Sequence, residues 1–252
     1  MRIDLDHISL AVKGTTLLHD ACMSVPDRAL VSILGESGAG KTTLLRVVSG
    51  LAVQSEGRVL FDGQAVDDLP ANRRGIAMVF QDARLFPNMS VLDNVLVGLY
   101  REQPYSLFES MLRLPSFARS ERILKERAME LLSIFNMEDE ADVPAGSLPY
   151  GAQRRLEIVR ALATNPCLLL LDEPAAGMNP SETAELMEHI LKIRDTFQIA
   201  ILLIEHDMNL VMGICEGIAV LNYGRVIAKG SPEDIKNDPK VIEAYLGRKE
   251  AK

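Results

Sequence analysis

The clearest chemical motif in the chain is a glycine-rich segment that ends in lysine and threonine. Residues 35–42 read Gly-Glu-Ser-Gly-Ala-Gly-Lys-Thr and fit the pattern G-x-x-x-x-G-K-[ST] in full. In such a loop the backbone amides surround a phosphate, the lysine reaches the β- and γ-phosphates, and the hydroxyl ligates Mg²⁺. An apolar segment precedes the motif and a helical pattern follows it. The segment therefore predicts a site for a nucleoside triphosphate.

Two adjacent carboxylates follow a wholly apolar segment later in the chain. Asp172 and Glu173 come directly after the leucines of residues 168–171. Ligands of open α/β sheets bind at the carboxyl ends of the strands. We expect Asp172 to hold Mg²⁺ and Glu173 to orient or deprotonate an attacking water, a role worth roughly 10²–10⁴ in rate. A strand that merely ends in solvated acids is the alternative, and the upstream phosphate loop disfavours it.

Two further polar side chains also follow apolar segments. Gln81 comes after Val79 and Phe80, and we expect its amide to reach the metal or the attacking water. His206 comes shortly after the apolar residues 199–204, where its imidazole can contact the γ-phosphate. A lone histidine is more often a surface or capping residue. Its position behind such a strand, after the other motifs, favours a functional role.

Short apolar segments that alternate with longer helical patterns must position these residues. Strands are predicted at residues 30–34, 58–61, 76–80, 167–171, 199–204, 218–221 and 225–228, and a hairpin turn at 222–224. The segments 167–171 and 199–204 are apolar throughout, which is typical of a parallel sheet covered on both faces.

The middle of the chain, residues 90–135, has a helical pattern instead. Apolar residues recur at helical spacing at Ile123, Leu124, Ala128, Leu131, Leu132 and Phe135. We predict an α/β fold with a mostly parallel sheet core, an antiparallel β part and an inserted α-helical sub-domain. The closing segment, from Ser231 onward, predicts two short capped helices.

Composition excludes several classes of protein. The 252 residues carry 35 acidic and 27 basic side chains, a net charge of −8, which disfavours a nucleic-acid-binding protein. No apolar stretch approaches the roughly 18–20 residues that cross a bilayer, and the first residues carry no secretory signal. We therefore expect a cytosolic protein without a membrane span.

The order of these motifs resembles the ATPase subunit of ABC transporters across essentially the whole chain. The similarity is greatest to the branched-chain amino acid importers, in residues 148–151, 153–158, 170–180, 204–208 and 241–247, with a further match at 111–117. The first ninety residues look more like polyamine, iron or sugar importers. Those ATPases usually carry an additional C-terminal barrel. Since the sequence ends at Lys252, we expect no such barrel here, which favours the amino acid importers.

The resemblance implies a P-loop NTPase ABC cassette over residues 1–247, followed by a tail at 248–252. Its core would cover roughly 1–90 and 160–247, and its helical sub-domain roughly 91–159. Two copies would face each other head to tail, with each ATP between the phosphate loop of one and the glycine signature of the other. The implied site has nucleotide-binding residues (Gly35, Glu36, Ser37, Gly38, Ala39, Gly40, Lys41, Thr42, Thr43, Val12, Tyr150 and Gly151), Mg²⁺-binding residues (Thr42, Gln81 and Asp172) and catalytic residues (Glu173, His206 and Gln81).

Three residues depart from the pattern of the family. Val12 stands where an aromatic residue usually stacks on adenine, so it can pack against the base but offers no π face. Ala152 replaces the final glutamine of the signature. Asn179 stands where an acidic residue is common. The nucleotide preference and the hydrolysis rate are therefore left open.

The resemblance also implies an assembly at the cytoplasmic face of the inner, or plasma, membrane. A second ATPase subunit (a related paralogue or a second copy), two membrane-spanning permease subunits and, indirectly, a periplasmic or extracellular binding protein would be the partners. ATP hydrolysis would drive uptake of branched-chain or related amino acids. Alternatives are a polyamine, iron or sugar importer, a soluble ABC ATPase acting in translation or DNA repair, and a small kinase or GTPase. The Gly151 signature has no role in the last of these.

Overall fold

The computed structural model describes residues 1–82, 85–102 and 115–246, which form two compact units. The first unit contains the described residues of Met1–Gln81, Cys167–Ala176 and Ile190–Lys252. The second contains those of Asp82–Pro166 and Gly177–His189. None of the described helices is long and apolar enough to cross a lipid bilayer.

Ten strands lie within the described residues, all in the first unit. They are β1 (Ile3–Val12), β2 (Thr15–Val25), β3 (Leu30–Leu34), β4 (Glu56–Phe61), β5 (Gln64–Ala65), β6 (Ile76–Val79), β7 (Leu168–Asp172), β8 (Ala200–Ile204), β9 (Gly217–Asn222) and β10 (Arg225–Gly230). Each of the seven predicted strands is present, within two residues of its predicted bounds.

A six-stranded sheet has the order β10-β9-β3-β8-β7-β6. All its strand pairs are parallel except β9–β10, the hairpin predicted around residues 222–224. Strands β3, β7 and β8 are buried at every position, which explains why their sequences do not alternate between apolar and polar residues. The carboxyl ends of β6, β7 and β8 lead into Gln81, Glu173 and His206.

A second, antiparallel sheet has the order β2-β1-β4-β5. Its two longest strands, β1 and β2, are absent from the sequence prediction. Strand β1 alternates only in part, because its register with β2 shifts between Leu5 and Ile8. Asp6 and His7 lie in this irregular stretch and both are exposed. The interruption removes the period of two on which a strand prediction depends.

Eight α-helices lie within the described residues. They are α1 (Lys41–Ser49), α2 (Val91–Leu99), α3 (Pro115–Ser133), α4 (Tyr150–Leu162), α5 (Pro180–Phe197), α6 (Met208–Ile214), α7 (Pro232–Asn237) and α8 (Pro239–Val241). Helix α7 begins with a capping box between Ser231 and Asp234, and Asp238 caps α8. The two short capped helices are therefore confirmed. The predicted α/β class, with a mostly parallel core, an antiparallel part and helices inserted between the strands, is also confirmed.

The second unit is built on packing between α2, α3 and α4. Leu124, Ala128, Leu131 and Leu132 are buried on α3 as predicted. Ile123 is the exception, with 53% of its surface exposed, so its assignment to the apolar face was wrong. It directly precedes Leu124 along the helix and therefore points about 100° away from it. Most of the predicted match at 111–117 lies outside the described residues.

Candidate nucleotide site

The phosphate loop connects β3 to α1, as its sequence predicts. Gly40 caps α1 with a φ of 100°, a left-handed conformation that favours glycine. A Cβ on Gly40 would lie 2.9 Å from the Leu17 carbonyl oxygen. The Lys41 ammonium donates to the carbonyls of Gly35 at 2.7 Å and Glu36 at 3.1 Å. Two carbonyls of the loop thus accept hydrogen bonds from Lys41, the first residue of a nine-residue helix.

The side-chain oxygens of Thr42 and Asp172 lie next to each other beside this loop. The Thr42 hydroxyl donates to Asp172 Oδ1 at 3.3 Å, joining α1 to the end of β7. Burial raises the pKa of the Asp172 carboxyl above its ordinary value, and the hydrogen bond from Thr42 opposes that shift. A hydroxyl and a carboxylate are the hard oxygen ligands that Mg²⁺ takes from proteins. The donor set at Thr42 and Asp172 therefore fits a magnesium ion.

Glu173, the predicted general base, is in contact with the side-chain amide of Gln81. Gln81 Nε2 donates to Glu173 Oε2 at 3.1 Å, which brings the ends of β6 and β7 together. Glu173 has a φ of 47°, which is uncommon for a residue with a side chain. Its backbone N–H donates to the Ile204 carbonyl at 3.0 Å. The next strand therefore helps to fix the position of Glu173.

A cleft of about 920 Å³ unites most of these side chains in the first unit. Of the predicted residues, its lining includes Gly35, Glu36, Ser37, Gly38, Gly40, Lys41, Thr42, Thr43, Gln81, Glu173 and His206. The His206 side chain is 69% exposed. One continuous cleft thus joins the phosphate loop to the three predicted catalytic side chains.

The same cleft is also lined by residues that the sequence did not indicate. These are Thr15, Thr16, Leu17, His19, Tyr223 and Gly224. Val12, predicted to pack against the base, is not among the lining residues. It pairs with Thr15 across the β1–β2 hairpin and is 46% exposed. Of these two paired residues, Thr15 lines the cleft and Val12 does not.

The β9–β10 turn is attached directly to the phosphate loop. Gly224 N–H donates to the Ala39 carbonyl at 2.9 Å, and His19 N–H donates to the Gly224 carbonyl at 2.8 Å. A Cβ at Gly224 would lie 2.5 Å from the Leu17 carbonyl oxygen, so glycine is required there. Tyr223 precedes it with 72% of its surface exposed. The sequence predicted this turn but held no sign of its contact with the loop.

The predicted signature residues lie in the second unit. Tyr150 and Gly151 begin α4, and a Cβ on Gly151 would lie 3.2 Å from Glu182 Oε1. Asn179 makes reciprocal hydrogen bonds with Glu182, each 3.0 Å long, at the start of α5. This is a capping box. It gives Asn179 a structural role, because a side-chain oxygen is what that position needs.

Comparison with known proteins decides the family. The family described as "ABC transporter" matches residues 18–176, which is more than half of the chain. The chain belongs to the ABC transporter ATP-binding family. This ABC ATPase also matches, at residues 225–251, the family described as "Branched-chain amino acid ATP-binding cassette transporter".

Individual relatives of the ABC ATPase extend the similarity over nearly its whole length. The high-affinity branched-chain amino acid transport ATP-binding protein BraF of Pseudomonas aeruginosa is 39% identical, over 97% of each chain. The ADP conformation of the ABC cassette MJ1267 superposes with a TM-score of 0.83, at 29% identity, over 98% of this chain and 99% of that one. The dimeric cassette MJ0796, bound to ADP and Pi, gives a TM-score of 0.77 at 26% identity, over 91% and 98%. The membership of the ABC transporter ATPases that was predicted from the sequence is confirmed.

Proposed function

We propose that this ABC ATPase hydrolyses ATP to energise an importer of branched-chain or related amino acids. The cleft that unites the phosphate loop with Gln81, Glu173 and His206 is the observation that carries ATP hydrolysis. The match at residues 225–251 and the similarity to BraF support the choice of substrate.

In this mechanism the phosphate loop binds the triphosphate. Its backbone amides and the N-terminus of α1 face the phosphates, and Lys41 exchanges its contacts with Gly35 and Glu36 for phosphate oxygens. Thr42, Asp172 and Gln81 would hold Mg²⁺. When bound, this ion neutralises negative charge that develops on the phosphates.

Three residues act on the attacking water and the γ-phosphate. Glu173 accepts a proton from the water or orients it, and the Gln81 amide holds the Glu173 carboxylate through the 3.1 Å hydrogen bond. His206 contacts the γ-phosphate from the end of β8. These groups follow three adjacent strands, whose parallel pairing brings their carboxyl ends to the same edge of the sheet.

We further propose that residues 1–247 act as one cassette, with a helical sub-domain at roughly 91–159. A second ATPase subunit would supply its own Tyr150–Gly151 segment, or the equivalent, to the nucleotide. The dimeric MJ0796 cassette supports this arrangement. Two membrane-spanning permease subunits and a binding protein for the solute would complete an importer, with the ATPase at the cytoplasmic face of the membrane.

The substrate assignment predicts stimulation by amino acids. The chain is purified together with its permease subunits, reconstituted in vesicles and supplied with its binding protein. Phosphate release is expected to rise when leucine, isoleucine or valine is added, because solute loading favours closure of the ATPase dimer. Spermidine, ferric iron and maltose serve as the comparison. Stimulation by one of those three alone would contradict the amino acid assignment and leave the family intact.

Tyr223 is expected to support the adenine base. It lines the cleft on a turn that is hydrogen-bonded to the phosphate loop, and its ring is largely exposed. Stacking of a base on an aromatic ring is worth about 1–3 kcal/mol. Tyr223→Ala should therefore weaken ATP binding by about fivefold to a hundredfold. The affinity for ATP is measured by isothermal titration calorimetry.

Two comparisons make the Tyr223 prediction specific. Tyr223→Phe retains the ring and should bind ATP like the unaltered chain. Inorganic tripolyphosphate has no base, so its affinity should be the same for all three proteins. Loss of tripolyphosphate binding in Tyr223→Ala would show that the substitution damages the phosphate loop and does not act through the base.

A further inference from the structure

Glu205 is a buried carboxylate beside the nucleotide cleft, and the proposed mechanism gives it no role. It follows the last residue of β8, and only 2% of its surface is exposed. A buried carboxylate is unfavourable unless hydrogen bonds or opposite charges compensate for its loss of hydration. Its partners therefore indicate what it contributes.

The Glu205 carboxylate joins two loops that enter the cleft. Its Oε1 accepts from the Ala175 backbone N–H at 3.0 Å, in the loop after β7. Its Oε2 accepts from the His206 backbone N–H at 3.3 Å, in the loop after β8, and lies 3.7 Å from His206 Nδ1. Burial raises the pKa of Glu205 above its ordinary value, and the hydrogen bonds from Ala175 and His206 oppose that shift.

The loop after β7 is itself well anchored. Glu173 N–H donates to the Ile204 carbonyl at 3.0 Å, and Ala176 N–H donates to the Glu173 carbonyl at 3.1 Å. The left-handed φ of Glu173 is unfavourable for a residue with a side chain, so the surrounding contacts must maintain it. Ala175 therefore lies on a well-anchored loop, and its hydrogen bond with Glu205 can help to fix the position of His206.

We propose that Glu205 is a positioning residue that holds His206 in register with Glu173. The inference rests on the proposed ATP hydrolysis. The His206 side chain is 69% exposed and lies on the loop between β8 and α6. The bridge through Glu205 ties the backbone of His206 to the segment that carries Glu173. Glu205 itself is too buried to meet the nucleotide, so it acts through His206.

Glu205→Gln tests the bridge with the least change of shape. A glutamine amide has one accepting oxygen and one donating nitrogen, so one of the two backbone N–H groups loses its acceptor. Misplacement of His206 should lower kcat about tenfold to a hundredfold. The KM for ATP should stay within about twofold of the original, since the phosphate loop is untouched. Glu216→Gln, which removes an exposed carboxylate paired with Arg194, should leave both constants unchanged.

A double-substitution cycle with His206→Ala separates positioning from general damage. If Glu205 acts through His206, Glu205→Gln should change kcat less than about twofold in the His206→Ala background. Independent losses that multiply, or a rise in KM equal to the fall in kcat, would overturn the proposal, as would an unchanged kcat in Glu205→Gln alone. Absence of phosphate release by the original chain would instead refute the proposed hydrolysis.

Discussion

Replacing Glu173 with glutamine is expected to lower kcat for ATP hydrolysis by about 10²–10⁴ and to leave nucleotide binding intact. The side chain keeps its size and can still accept a hydrogen bond from Gln81, whose amide lies 3.1 Å away. What is lost is the carboxylate that, in the proposed mechanism, takes a proton from the attacking water. The phosphate loop and the Thr42–Asp172 pair keep all their own side chains in this variant.

The Glu173 prediction needs binding and turnover to be measured on the same protein. Phosphate release gives kcat, and the change in fluorescence of a labelled ATP analogue gives the affinity. Glu216→Gln is the matched control, because it removes one carboxylate of the first unit that is not among the residues lining the cleft. Full turnover by Glu173→Gln would remove Glu173 from the proposed mechanism. A parallel loss of binding would assign it to holding the nucleotide instead.

The grouping of the predicted site residues could be anticipated because each part of the site is local in sequence. The phosphate loop needs eight consecutive residues, and Asp172 and Glu173 are adjacent at the end of one strand. Parallel strands in one sheet bring their carboxyl ends to the same edge, so the grouping of Gln81, Glu173 and His206 follows from the strand predictions.

The part of the cleft that we propose for the adenine base could not be predicted in the same way. It depends on hydrogen bonds between the β9–β10 turn, β2 and the phosphate loop, which are up to about two hundred residues apart in the chain. The resemblance to the family pointed to Val12, which stands where an aromatic residue usually stacks on adenine. The structure instead places Thr15 and the distant Tyr223 on the cleft. Sequence spacing alone cannot anticipate which turn a folded loop meets.

Glu205 illustrates a second limit of the sequence. In the segment Ile-Glu-His-Asp its carboxylate reads as one more solvated acid next to a candidate histidine. Its burial and its contact with Ala175 depend on how two loops pass each other at the edge of the sheet. Three-dimensional burial, and not residue type, is what distinguishes this carboxylate from the others.

Arg74 is a further residue whose importance only the structure reveals, and it leads to the largest expected loss of stability. Its guanidinium is buried and donates to the carbonyls of Val47 and Val48, both at 3.0 Å, in the last turn of α1. It also donates to the carbonyls of Leu69 and Asp67. The last carbonyls of a helix lack partners within it, so Arg74 satisfies the C-terminal end of the helix that begins at the phosphate loop.

Arg74→Ala is therefore expected to lower the free energy of unfolding by about 3 kcal/mol, because it removes the four hydrogen bonds that a buried guanidinium donates to backbone carbonyls. Arg73→Ala provides the control, since Arg73 is the exposed neighbour in sequence and its loss should cost less than about 0.5 kcal/mol. Urea unfolding followed by circular dichroism measures both. Arg74→Lys should recover little, because one ammonium cannot replace a planar guanidinium that donates in several directions at once. Equal unfolding midpoints for the two alanine variants would contradict the assigned role of Arg74.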